Sequence, residues 1–111
     1  MTDATDAVVC LVTTPPDQAR PIAAALVERE LVACVNIVAH VQSVYRWQGA
    51  VEHDDEALLV IKTTRAAVAA LDTALRELHP YDTFELVALD VTGGSADYLS
   101  WIGDSVSPPA A

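Results

Sequence analysis

A chain of 111 residues has room for one domain around one core. Its hydrophobic fraction of 52% and charged fraction of 20% are those of a chain that folds, not of a disordered one. The formal net charge of −10, from 16 acids against 6 bases, repels phosphate backbones and anionic membranes and attracts cations, so neither nucleic acid nor a membrane is an expected partner.

The first six residues, Met1-Thr2-Asp3-Ala4-Thr5-Asp6, lack the basic start and apolar run of a signal peptide. No apolar stretch approaches the roughly 20 residues of a membrane helix. Cys10 and Cys34 both sit in apolar segments, which does not suggest a disulfide framework, so a cytoplasmic location is expected. The sequence predicts a single domain over 7–103, with 1–6 and 104–111 as flexible tails.

Residues 8–13 are a continuous apolar, β-branched run and read as a strand covered on both faces. Pro15 and Pro16 stop it, and Thr14 or Asp17 is placed to cap a helix over 17–31, where Ala19, Ile22, Ala23, Leu26 and Val27 recur at helical spacing. A second strand over 33–38 is interrupted at Ala39-His40, where His40 fits a bend because histidine tolerates positive φ, and resumes over 41–48. Gly49 supplies a turn, and 51–63 returns to complete a long hairpin. Thr64 begins a second helix carrying Val68, Leu71, Leu75 and Leu78 on one face, which His79-Pro80 terminates. A fourth strand is expected over 84–91. Gly93-Gly94 breaks it, and Ser95 opens a short helix with Tyr98, Leu99 and Ile102.

This βαββαβ order gives an α+β ferredoxin-like sandwich: a four-stranded antiparallel sheet with helices on one face, plus a short C-terminal helix. The strands are apolar on both sides. Val9, Leu11, Leu58, Val60, Val87 and Leu89 cannot all face the same two helices, so the second face is expected to meet another subunit.

Five segments carry a family resemblance: Leu31-Val32-Ala33-Cys34-Val35-Asn36-Ile37, Ser43-Val44-Tyr45-Arg46-Trp47-Gln48-Gly49, Ile61-Lys62-Thr63, Leu78-His79-Pro80-Tyr81-Asp82 and Asp97-Tyr98-Leu99-Ser100-Trp101. Each is weak alone, but in this order and spacing they resemble the CutA divalent-cation tolerance family from about Val8 to Ile102. The resemblance implies a homotrimer packed around its sheets, a hairpin reaching over a neighbour, and an architecture shared with PII signalling proteins. It implies tolerance to divalent cations, chiefly copper, with copper or another divalent cation as ligand and none needed for folding. Three positions depart from the family pattern: Thr13 and Leu78 stand where some members have cysteine and histidine, and Phe84 stands where proline is usual. Phe84 would let the fourth strand pair one residue earlier.

The family-like motifs offer His79, Cys34 and Glu85 as metal ligands, expected to converge at one end of the sheet. Against that, His79 also suits a helix C-terminus, and Cys34 also suits a small buried hydrophobe. Lys62 interrupts an apolar run; it either snorkels out or serves as the cation of a cleft lined by Tyr45, Trp47 and Tyr81, holding an anion or pairing with Glu52 or Glu85. Trp47 equally fits an interface anchor. His53-Asp54-Asp55-Glu56 reads as a solvated loop, because neighbours along a strand alternate sides and cannot all face one ion. No G-x-S-x-G, P-loop, H-E-x-x-H or C-x-x-C motif occurs, so a binding protein is expected, not an enzyme. The alternative to a metal-binding trimer is a PII-like signalling or scaffold trimer that holds a small anionic ligand between subunits.

Overall fold

The computed structural model of the protein describes residues 6–108. The β-branched run at the start forms β1 (Ala7–Thr14), and Pro16–Gln18 make one 3₁₀ turn before α1 (Ala19–Glu28). Neither Thr14 nor Asp17 caps the helix with its side chain; the Thr14 hydroxyl instead donates to the Pro15 carbonyl at 3.0 Å. The helix closes earlier than its apolar spacing predicts. Glu30 takes a left-handed φ of 57°, and the Leu31 N–H returns to the Leu26 carbonyl at 3.2 Å, the bonding of a Schellman-type end.

β2 (Cys34–Trp47) and β3 (Ala50–Thr64) form the long hairpin. Its two-residue loop, Gln48 and Gly49, has φ of 49° and 83°, the pairing that a type I′ turn requires. A 3₁₀ turn at Arg65–Ala67 leads into α2 (Val68–Leu78), which ends at His79-Pro80 as the sequence predicts. β4 (Val87–Asp90) is shorter than expected and starts later. Phe84 does not extend it, because its ring turns onto His79, with centroids 5.2 Å apart, and packs against the core. α3 spans Ala96–Ser105. The chain from 104 to 108 is not a loose tail: Val106 is buried, and the Ser107 N–H donates to the Glu30 carbonyl at 2.9 Å. The expectation for 1–5 and 109–111 lies outside the described residues.

The four strands pair antiparallel in the order β2-β3-β1-β4, the ferredoxin-like arrangement. Alternation along β1 and β3 sends Val8, Cys10, Val12, Leu59 and Ile61 onto Ile22, Leu26, Leu71 and Leu75 of α1 and α2. It sends Val9, Leu11, Leu58 and Val60 to the opposite face, where the register sets them beside Val87 and Leu89 of β4, each 46% exposed. All six residues that the sequence set aside as surplus to the two helices therefore share one open face. α3 covers only one end of that face, through Leu99 and Ile102 against Ala7 and Val91.

β1 pairs with β3 no further than Ala57, so 41–47 and 50–56 pair only with each other. These segments form a two-stranded arm projecting about 20 Å beyond the sheet. Such a ribbon is marginal alone, and Val44 and Val51 stand exposed on it.

Glu30 occupies a backbone region that L side chains disfavour. Glu30→Gly is expected to raise the unfolding free energy by about 0.5–1 kcal/mol, measured by denaturant titration at fixed subunit concentration. A loss of stability would show that the side chain, not the backbone, governs this helix end.

Candidate functional site

A register shift between Val38 and Val41 builds the site. Before the shift, Cys34, Asn36 and Val38 oppose Lys62, Val60 and Leu58 on the open face; after it, Val41, Ser43 and Tyr45 oppose Glu56, Asp54 and Glu52. The inserted residue reverses the parity of β2 and so puts Tyr45 and Trp47 on the side of the β3 carboxylates. His40 lies in the bulge and reaches Asp55 at 3.2 Å, but its φ is not positive; among non-glycine described residues only Glu30 and Gln48 are left-handed.

The arm and the segment between α2 and β4 enclose a groove of about 850 Å³. Asp54, Glu56, Asp82 and Glu85 line it together with Tyr45, Trp47, Tyr81 and Phe84, and no lysine or arginine does. Three of the expected cleft residues, Tyr45, Trp47 and Tyr81, therefore meet there, and Glu52 lies across the ladder from Tyr45. The sequence reading missed Asp54 and Glu56 by treating 53–56 as a loop. The segment is strand, and the two acids, two residues apart, share a face by the alternation that sends His53 and Asp55 away.

Glu56 is only 5% exposed and forms no hydrogen bond or ion pair with a described residue. No fully buried side-chain oxygen among the described residues lacks a hydrogen-bond partner, so its carboxylate opens to the groove. Burial, and then the Glu56 charge, push the Glu85 carboxyl above its ordinary range. The Tyr45 hydroxyl donates to Asp54 and is pushed up to about 12, first by that bond, then by burial and the charges of Asp54, Glu52 and Glu56. Tyr81 is raised by burial and by Glu56 and Asp54.

His79 is 6% exposed, and both of its ring nitrogens are engaged. Nδ1 accepts from the Tyr81 N–H at 3.1 Å, so the proton sits on Nε2, which donates to the Thr13 carbonyl at 2.8 Å. No lone pair remains for a metal. The imidazole instead ties the Tyr81–Glu85 segment to the end of β1 and stacks on Phe84.

Cys34 and Lys62 lie elsewhere. They oppose each other in the ladder, and Lys62 is six residues, about 20 Å, along β3 from Glu56. Its ammonium donates to Asn36, not to Glu52 or Glu85, and the Cys34 thiol faces Asn36 and the Tyr98 hydroxyl. The expected convergence of His79, Cys34 and Glu85 is thus corrected: only His79 and Glu85 belong to the groove end of the sheet. Among the described residues, no group of three His, Cys, Asp or Glu side chains is gathered to hold a metal ion.

A ferredoxin-like sheet bare on one apolar face, with an acidic, aromatic-lined groove at the root of a projecting arm, defines a class of small α+β domains. Comparison with known proteins narrows it. A model of the CutA1 divalent ion tolerance protein family matches residues 8–105. The divalent-cation tolerance protein CutA of Thermus thermophilus is 48% identical over 98 residues, 87% of this chain and 95% of its own. A CutA homolog of Xenopus laevis is 46% identical over 96 residues, 86% of this chain but 64% of its own length. The solved Thermus thermophilus structure superposes with a TM-score of 0.89 at 46% identity, covering 91% of this chain and 99% of that one. The PII-like protein CutA from Nostoc superposes with a TM-score of 0.86 at 31% identity, covering 92% and 99%. The chain belongs to the CutA1 divalent ion tolerance protein family.

Because the folded state holds the Glu85 proton to a higher pH than the unfolded chain does, ionising Glu85 opposes folding. That penalty is absent below the ordinary glutamate range and develops as pH rises through the raised value. Glu85→Gln should therefore leave stability unchanged at low pH and increase it at neutral pH, in paired denaturant titrations across pH 3–8 (range set by the usual glutamate pKa, about 4.3). An equal change at every pH would remove the carboxyl from this role.

Proposed function

We propose that the protein is a homotrimeric divalent-cation tolerance protein, cytoplasmic and non-enzymatic, that binds copper or another divalent cation as its ligand. The observation that carries this reading is the groove: four carboxylates line it and no lysine or arginine does, in a chain of net charge −10. The relatives' names associate them with divalent-cation tolerance. Among the described residues no three such donors stand close enough to hold an ion, so in this reading a neighbouring subunit supplies the remaining ligands and the groove's part is to concentrate the ion. The bare sheet face supports association: six apolar side chains in one stripe need a second copy to leave water.

A second reading has its own support. Lys62 is the sole lysine, half-buried on the open face beside Cys34 and Asn36, and one structural relative is described as PII-like. A small anion held between subunits would seat at Lys62, away from the acidic groove.

Light scattering should give three times the 11.8 kDa subunit mass. Val60→Asp, which puts a charge in the middle of the apolar stripe, should yield smaller species. Calorimetric titration of the trimer with Cu(II) and Zn(II) should show binding that is weakened at least tenfold in Val60→Asp. A monomer that binds copper as tightly as the wild type would overturn the shared site, and absence of heat with either ion would overturn the metal reading.

A further inference from the structure

We propose that the metal-ligand set offered by the family motifs at the end of α2 is closed in this chain, and that His79 works there as a positioning residue locked in its neutral, Nε2-protonated form. The inference removes one ligand from the function proposed above and stands whether or not the assembled protein takes up a cation. Copper favours imidazole nitrogen and thiolate sulfur. Among the described residues, no donor of either kind is free at this end of the sheet. Position 13 carries threonine, and Cys10 is three residues, about 10 Å, back along β1. The odd spacing puts Cys10 on the opposite face, in the core against α1 and α2. Burial pushes its thiol above the ordinary range and so disfavours the thiolate that a metal needs. Position 78 carries leucine, packed against the same core. Cys34 lies at the far end of the sheet. His40 and His53 belong to the arm, where His40 reaches Asp55 at 3.2 Å and His53 stands on the face turned away from the groove.

That leaves His79, and its two nitrogens are spent. Coordination through Nδ1 would cost the bond from the Tyr81 N–H; coordination through Nε2 would remove its proton and leave the Thr13 carbonyl without a donor. Both partners belong to the same chain as the ring, so assembly with other copies leaves these bonds in place. The bonds also do work of their own. Pro80 has no N–H to give, so the first donor after the helix is that of Tyr81, and the imidazole captures it. The His79 backbone N–H closes the helix on the Leu75 carbonyl at 2.8 Å. The ring lies between those of Tyr81 and Phe84, with centroids 4.9 and 5.2 Å away. One side chain thus fixes the helix end, the turn and the start of the segment that leads to β4.

The test starts with nitrogen NMR of the wild-type protein at neutral pH. The expected spectrum has a proton on His79 Nε2 and none on Nδ1, and saturating Zn(II), a diamagnetic stand-in for copper, moves neither resonance. Two variants then separate the two bonds. His79→Asn keeps an acceptor where Nδ1 stands, and His79→Gln keeps a donor where Nε2 stands. Amide exchange at Tyr81 should stay within about threefold of wild type in His79→Asn and speed up about tenfold in His79→Gln, the effect of one net hydrogen bond. A residue that merely filled space would not produce that split. Copper affinity by calorimetry should change by less than about threefold in either variant, where loss of a ligand would cost tenfold or more. A proton on Nδ1, a zinc-induced shift of either ring nitrogen, equal exchange in the two variants or loss of copper binding in both would overturn the proposal. If neither variant folds, the wild-type spectra with and without zinc decide it. Absence of metal binding together with the expected tautomer and exchange split overturns the cation reading alone, and zinc bound at His79 overturns this inference alone.

Discussion

The structure depends on a shortage of helix. Period-two alternation gives this sheet two apolar faces, and α1 and α2 cover one of them. α3 is ten residues long and reaches only the end nearest Ala7 and Val91. Val9, Leu11, Leu58, Val60, Val87 and Leu89 are left as a stripe across three strands, with polar groups confined to its two ends. At one end sit Cys34, Asn36 and Lys62; at the other sit Thr13, Glu56 and Glu85. An apolar stripe of that kind is stable in water only against another surface, and the polar ends then lie at the margins of whatever covers it.

Two local departures from regular structure turn the acidic margin into a groove. The bulge at Ala39-His40 reverses the parity of β2, without which Tyr45 and Trp47 would face away from Asp54 and Glu56. The break after α2 forms the opposite wall. Pro80 prevents the helix from continuing, and His79 fixes the chain that follows by accepting from Tyr81 and donating to Thr13. The hydrogen bonding that makes His79 a good clamp is what withdraws it from metal binding. Its contribution to the site is to hold Tyr81, Phe84 and Glu85 against the arm.

The electrostatics follow from that assembly. Tyr45, Tyr81 and Glu85 are all held in their protonated forms beyond their usual ranges, Tyr45 first by its bond to Asp54 and the other two first by burial, with neighbouring carboxylates adding to each. The groove lining itself carries four carboxylates and no positive charge. The sole lysine cannot supply it, because β3 carries Lys62 to the far end of the same face. Within one chain the negative groove and the lysine are thus separate features, joined only by the apolar stripe between them.

The strands, the two main helices, the hairpin turn at Gly49 and the helix stop at Pro80 were legible in the sequence, because each follows from local rules of periodicity, allowed φ and missing N–H groups. The surplus of apolar strand residues was legible too, since alternation assigns faces without knowledge of the fold. The family motifs indicated Tyr45, Trp47 and Tyr81, which do meet. Only the tertiary structure decided that Cys34 and Lys62 lie a sheet's length from His79, that Asp54 and Glu56 face the aromatic groove, and that Phe84 stacks on His79 where a longer fourth strand was expected. The physical reason is that one inserted residue in β2 reverses every side chain beyond it, and the ladder register sets distances between residues far apart in sequence. Neither is written in the composition or spacing of a single strand.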